Sequence, residues 1–439
     1  KYTMTKLKKI TFELPFFQVV TRLLEGLKLF LANHPNIEHV KLNYEGDEIS
    51  EDDHLLMIQA MGMLTKVKSL QIGYNWCTVT PSQELQNITR TRHFDLKSLH
   101  LSIVNTQITS ESLSFLVNRF VSRAPPSQFS ITILNSPAFR QEQFDIFSKA
   151  LAGFSELEDL TIRLAPNCEI SENQRSAFYN GLDSLKKLTT FTLELKPQLG
   201  NMNDYDLEML GSKLQKLKQL QYLDLSFDTN YDITDQGCQT LFKGISHLTN
   251  LQTFIISIEK KSLVTDETTK ALRDCLANLA FLKVLSIRIF KCRLTNDCCK
   301  ELWQGIKGLS SLESLTLKLT NNKLDDAGLG YLRNLLSEQR QLRELSLTVP
   351  IFTKDSGIQA LVEGISFLKC LKVLKLKIDS VPLTGIGRNG ADRIMEAIKG
   401  LKRLRELYWE LPLSLGMSYE VELYEELKSL EYVSWEEIS

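Results

Sequence analysis

The chain is poor in the residues that most chemistry needs. Its 439 residues hold six histidines, His34, His39, His54, His93, His100 and His247, and no two stand at the helical spacing of a metal pair. His39 and His100 are expected on strands two repeats apart, roughly 10 Å from one another, too far to share one zinc ion. Eight cysteines in a chain of this length make no disulfide framework, and none belongs to a Cys-x-x-Cys pair. Cys298 and Cys299 are adjacent and point different ways on a helix, and Cys238, Cys275, Cys298 and Cys370 read as small buried hydrophobes. Carboxylate pairs such as Asp52 with Asp53 and Asp325 with Asp326 stand at helix starts, where capping accounts for them. No catalytic, cofactor-binding or metal constellation is present, and an enzyme is not expected.

Other absences narrow the class further. No apolar run approaches the roughly 20 residues of a membrane helix, so no membrane insertion is expected. The chain opens at Lys1 without a signal-peptide pattern, though a removed leader would leave no trace. A net charge of −1 gives no global field toward nucleic acid or an anionic membrane, and a nucleic-acid partner is not expected. There is no Pro-, Gly- or Ser-rich linker and no low-complexity block in a chain longer than one compact core usually holds.

What the chain does have is one sentence written many times. In Leu220 to Leu251, Leu223, Leu225 and Phe227 alternate with Tyr222, Asp224 and Ser226, the period of a strand with one buried face. Ile233 and Thr234 follow, then Leu241, Ile245 and Leu248 at helical spacing. Thr234 can accept a backbone N–H of that helix, and Asp235 sits at the positive end of its dipole. Each unit is thus a strand, a loop and a helix, too small to bury its apolar faces alone.

Fifteen anchors mark the units: Leu7, Ile37, Val67, Leu96, a degenerate one near Pro126, Leu157, Leu188, Leu220, Leu251, Leu282, Leu312, Leu342, Leu371, Leu404 and Leu430. Helix starts recur as Ile49–Ser50, Ile108–Thr109, Ile170–Ser171, Val264–Thr265, Leu294–Thr295 and Leu383–Thr384, with Pro81 at a first helical position and a capping-box spacing from Ser171 to Gln174. Gly181, Gly244, Gly305 and Gly364 recur before an apolar helix position, which predicts close approach of neighbouring helices. The Gly-rich stretch from Leu383 to Arg393 lacks the Lys and Ser/Thr pair of a phosphate loop and reads as a long repeat loop.

These units resemble the leucine-rich repeat family in its long, helix-bearing, ribonuclease-inhibitor-like form, and the near-uniform array is similar to large protist families of such repeats. The resemblance implies an α/β solenoid, a horseshoe or arc of about fifteen units, with parallel strands on the concave face and helices on the convex face. It spans 1–439 as a single solenoid, with 1–36 as N-terminal unit or cap, 125–156 as a degenerate repeat with loosened stacking, and 404–439 as C-terminal units and cap. The family's turn Asn is out of register, Asn322 before Leu324 being a lone look-alike. No regular Asn ladder is therefore expected, and the two or three extra residues are expected to extend the strands.

A macromolecular partner is expected to bind through the concave face or the loops, and the inner wall offers the candidate residues. Position five of the regular repeats reads Thr161, Thr192, Asp224, Ile255, Ser286, Thr316, Ser346, Lys375 and Tyr408, mostly hydroxyl residues that suit closely spaced strands. Position seven brings Arg288, Lys318 and Lys377 into a basic stripe, followed toward the C-terminus by Glu344, Glu406 and Glu410 with Tyr408 and Tyr432. Charged and aromatic side chains on a rigid face are the kind that anchor partners. The resemblance implies a non-enzymatic scaffold for a protein partner, a subunit of a large eukaryotic assembly in the cytoplasm, cytoskeletal or ciliary. The alternative is an enzyme regulator, either similar to the Ran-GTPase activators or a ubiquitin-ligase substrate adaptor. The acidic tail of the first and the docking module of the second are not visible.

Overall fold

The computed structural model describes residues 7–14, 20–46, 48–49, 66–79, 96–108, 113, 126–136, 141–166, 170–195, 202–228, 233–259, 263–349, 355–378, 388–410 and 432–435. The Pro81 helix start, His54, His93, the glycine loop ahead of Arg388 and the Leu430 anchor lie outside these residues.

The chain forms two compact units, Lys1–Asn201 and Met202–Ser439. In the first, seven strands lie side by side in chain order: β1 (Lys9–Leu14), β2 (His39–Glu45), β4 (Ser69–Asn75), β6 (Ser98–Val104), β8 (Gln128–Ser136), β9 (Asp159–Pro166) and β10 (Thr190–Leu195). Every pairing among them is parallel. The two-residue strands β3 (Glu48–Ile49), β5 (Thr78–Val79) and β7 (Gln107–Ile108) make a small parallel ladder of their own. Helices α1 (Val20–Asn33), α2 (Gln141–Leu151) and α3 (Glu172–Gly181) connect successive strands.

The second unit repeats the arrangement with eight parallel strands in chain order: β11 (Tyr222–Asp228), β12 (Thr253–Glu259), β13 (Val284–Phe290), β14 (Ser314–Lys318), β15 (Glu344–Val349), β16 (Val373–Ile378), β17 (Glu406–Glu410) and β18 (Tyr432–Trp435). Its helices are α4 (Asp204–Leu214), α5 (Asp235–Ile245), α6 (Asp266–Leu276), α7 (Asn296–Ile306), α8 (Asp326–Glu338), α9 (Asp355–Ser366) and α10 (Arg388–Lys399). Parallel neighbours, joined by helices in the described crossovers, make this a leucine-rich repeat solenoid of the α/β class, and its strands account for the fifteen anchors one for one.

The core lies between sheet and helices. Leu285, Ile287 and Ile289 of β13 are fully buried, as are Leu302 and Ile306 of α7, and the same alternation holds in each regular repeat. The anchor leucines fill the turn ahead of each strand, Leu220, Leu251 and Leu282 being wholly inaccessible. At Pro126 the structure departs from the expected loosening. Pro126 is buried where the leucine would be, and β8 keeps its register with β6 and β9 up to a bulge between Leu134 and Ser136.

The four recurring helix glycines do mark close approach. A Cβ on Gly181 would meet Leu151 Cβ at 3.1 Å, one on Gly305 the Arg273 Cα at 2.9 Å, and one on Gly364 the Arg333 Cα at 3.0 Å. Gly244 faces a second glycine, Gly211, whose Cα would lie 2.6 Å from such a Cβ. No side chain fits between the helices there.

Among the described residues the turn after the strands carries no regular Asn ladder, as expected, but it does carry a ladder of mixed residues. A left-handed residue ends several strands, Gly46, Trp76, Asn105, Asn135, Lys291 and Asn321, and the residue that follows is small, polar and buried: Cys77, Thr106, Ser136, Cys292 and Asn322. The Asn322 amide donates to the carbonyls of Ile289 at 2.9 Å and Leu319 at 3.0 Å, while its oxygen accepts the Leu294 N–H at 3.3 Å. The Thr106 hydroxyl accepts the Cys77 N–H at 3.2 Å and donates to the Val104 carbonyl at 2.8 Å. Asn322 is therefore one rung of a ladder that Cys, Thr and Ser also fill, because the position requires only a small group able to reach strand-end carbonyls.

Candidate partner-binding face

Strand register places the face that the helices leave uncovered. Across β11 to β17, Asp224, Ile255, Ser286, Thr316, Ser346, Lys375 and Tyr408 fall in one row, and Ser226, Ser257, Arg288, Lys318, Thr348, Lys377 and Glu410 in the next. Inward neighbours such as Leu315, Leu347 and Leu376 are buried, so these rows face away from the core.

Part of both rows is closed off. Ser257, Ser286 and Thr348 are buried, and the Ser286 hydroxyl is sealed without a hydrogen-bond partner. Small side chains there let long neighbours lie over closely spaced strands.

The open part of the face lies over β14 to β17, where a groove of about 380 Å³ is lined by Lys318, Ser346, Thr348, Lys375, Lys377, Tyr408 and Glu410 with the edges of Leu347, Leu376 and Trp409. Lys375 sets its ammonium 4.4 Å from the centre of the Tyr408 ring, and the Tyr408 hydroxyl donates to Glu406 at 3.3 Å. Lys377 reaches across to Glu410 at 2.5 Å. The cationic stripe and the acidic group that follow one another in sequence are therefore cross-linked in space.

Arg288 is exposed and stands in register beside Lys318, one strand outside the groove. Glu344 lies one row further out and accepts the Ser314 hydroxyl at 3.2 Å. Tyr432 is in backbone register with Glu406 on β18. Reading one row at a time left out Lys375, which shares the groove with Lys318 and Lys377. Its signal was the alternation itself, two residues before Lys377 on the same face.

The first unit offers a different face. Asn43 donates to both carboxylate oxygens of Glu13 at 2.9 Å and stands beside Gly73, whose missing side chain opens a depression of about 340 Å³ also lined by Lys41 and Ser102. His100 lies half-buried in that unit's strand face. Desolvation, and then Arg163 and Lys41, lower its pKa and favour the neutral ring. Arg163 and Glu194 pair at 3.2 Å on neighbouring strands.

Among the described residues no group of three His, Cys, Asp or Glu is placed to hold a metal ion, and no helix is long and apolar enough to cross a membrane. No family model and no curated protein matches this sequence. Among solved structures, the chain is similar to TLR13 in a crystal structure of a TLR13–ssRNA13 complex, at 13% identity and a TM-score of 0.38, over 98% of this chain and 71% of that one.

Proposed function

We propose that this chain is a non-enzymatic scaffold of the ribonuclease-inhibitor-like repeat type that binds a protein partner through the uncovered strand face of its second unit. The observation that carries the reading is the groove over β14 to β17, where long charged side chains and an aromatic ring stand together on a floor of packed strands. Strands fixed by a common core hold such groups with little conformational freedom left to lose, which is what an interface anchor needs. The setting that suits a long repeat array of this kind is a large eukaryotic assembly, cytoplasmic and either cytoskeletal or ciliary.

The test is affinity capture of the native protein beside the triple variant Arg288→Glu, Lys318→Glu, Lys377→Glu. Stable partners lost on charge reversal are the expected result. Partners retained in full would move the interface to the helices, the loops or the first unit.

A further inference from the structure

We infer that the strand face over β13 to β17, the groove together with Arg288 beside it, takes an acidic, extended peptide segment with carboxylates at alternate positions. This deepens the proposed function and rests on its choice of face. The two rows over β13 to β17 carry four cations, Arg288, Lys318, Lys375 and Lys377, against one carboxylate, Glu410. The excess is local, since the whole chain has a net charge of −1. Charge of one sign concentrated on a rigid floor selects a ligand of the other sign.

The spacing points to a peptide. From Arg288 on β13 to Lys377 on β16 is three strand intervals, about 14 Å. An extended chain laid across the strands repeats its side-chain direction about every 7 Å, so acids at alternate residues meet cations at both ends and near the middle of that span. Ser346 and Thr348 border the path with hydroxyl groups.

A single-stranded nucleic acid fits less well. It would seek open aromatic faces for its bases, and the Tyr408 ring already has the Lys375 ammonium over it.

Glu410 gives the groove a built-in competitor. Its carboxylate occupies Lys377 at 2.5 Å, in the position an incoming carboxylate would take. Removing its charge releases a cation to the ligand, so Glu410→Gln is expected to tighten binding, an effect that misfolding cannot mimic.

The experiment is fluorescence anisotropy of a labelled heptapeptide with glutamate at alternate positions and serine between them. Lys318→Glu with Lys375→Glu should weaken binding about tenfold and Glu410→Gln should strengthen it about threefold, as expected for a few exposed ion pairs. Lys41→Glu in the first unit should change nothing, and a uridine pentanucleotide carrying four phosphates should bind more weakly than the peptide. No peptide binding, binding indifferent to the lysine reversals, or an oligonucleotide bound as tightly as the peptide would each overturn the inference. Captured partners that disappear on charge reversal while the peptide fails to bind would remove the acidic segment and leave the binding face standing. Captured partners that persist while the peptide binds through these lysines would remove the face as the scaffold's interface and keep the site.

Discussion

The carboxylate of Asp235 holds Thr265 of the following repeat, accepting the Thr265 N–H at 2.8 Å and its hydroxyl at 2.7 Å. The same carboxylate takes the Thr268 hydroxyl at 2.6 Å and the Thr268 N–H at 3.2 Å. Asp235 opens α5 and so already sits at the positive end of its own helix dipole. Thr265 in turn caps α6 by accepting the Glu267 N–H at 3.3 Å. Asp204 holds Thr234 and Asp266 holds Thr295 in the same manner, and Asn296 does so for Asp325 with an amide in place of the acid. Gly237 and Gly328 make room for this, since a Cβ at Gly237 would meet the Asp204 Cα at 2.8 Å and one at Gly328 the Asn296 Oδ1 at 2.7 Å.

Asp235→Ala should therefore destabilise more than the loss of an ordinary helix cap, by about 2–3 kcal/mol, because it strips partners from the next helix as well. Urea unfolding of Asp235→Ala, Thr265→Ala and the double variant measures it. A double variant no worse than the more damaging single one is expected, and additive losses would show that the two residues act independently.

The Gly211–Gly244 contact gives a prediction of sign. Gly244→Ala gains about 1 kcal/mol of helix propensity but forces α4 and α5 apart, at a cost of about 3 kcal/mol, for a net loss near 2. Gly330→Ala, also inside a helix but with nothing within 4 Å of its Cβ, should stabilise by up to about 1 kcal/mol. Thermal midpoints moving in opposite directions for the two variants are the expected outcome.

Acid should weaken the first unit through Glu38. Hydrogen bonds from Lys68 at 2.8 Å and Lys8 at 3.0 Å hold its carboxyl at about 2, below the ordinary 4.5. A depressed folded value contributes stability that is fully present above the unfolded value and fades as pH falls from about 4.5 toward 2. The stability difference between wild type and Glu38→Gln should be constant above pH 5 and shrink in that window. A difference that does not change with pH would show that the two lysines leave Glu38 untouched.

Thiol reactivity should divide the cysteines. Burial pushes the Cys238 thiol up to about 12 and raises Cys275, while the hydrogen bond with Cys299 and burial raise Cys298. Cys370 is the partly exposed one among the described cysteines. A brief pulse of a maleimide on the native protein, mapped by mass spectrometry, should modify Cys370 and leave Cys77, Cys238, Cys275, Cys292, Cys298 and Cys299 intact until denaturant is added.

The repeat was legible because its leucines obey two periods at once, two along the strand and 3.6 along the helix, and both are visible in a single copy from Leu220 to Leu251. Helix glycines were legible for the same reason: a residue that weakens a helix and still recurs must answer a neighbour. The ladder at Cys77, Thr106, Ser136, Cys292 and Asn322 was not, since four residue types satisfy one geometry and no single letter repeats. Nor was the reach of Asp235 into the next repeat, because a capping motif read within one helix looks complete. The Lys377–Glu410 pair escaped for a related reason. Its members are 33 residues apart, and only strand register shows them adjacent.

The left-handed positions at the strand ends are defined by a backbone angle and by very little else. Glycine and asparagine hold four of the six, yet a tryptophan at 76 and a lysine at 291 stand there with φ near +60° and their side chains outside the core, Trp76 at 61% exposure. Each costs about 1 kcal/mol for its backbone and nothing for its chemistry. Such sites behave as blank pegs at one strand interval: their letters can change from repeat to repeat, giving the surface a new texture, while the packing beneath never has to be solved again.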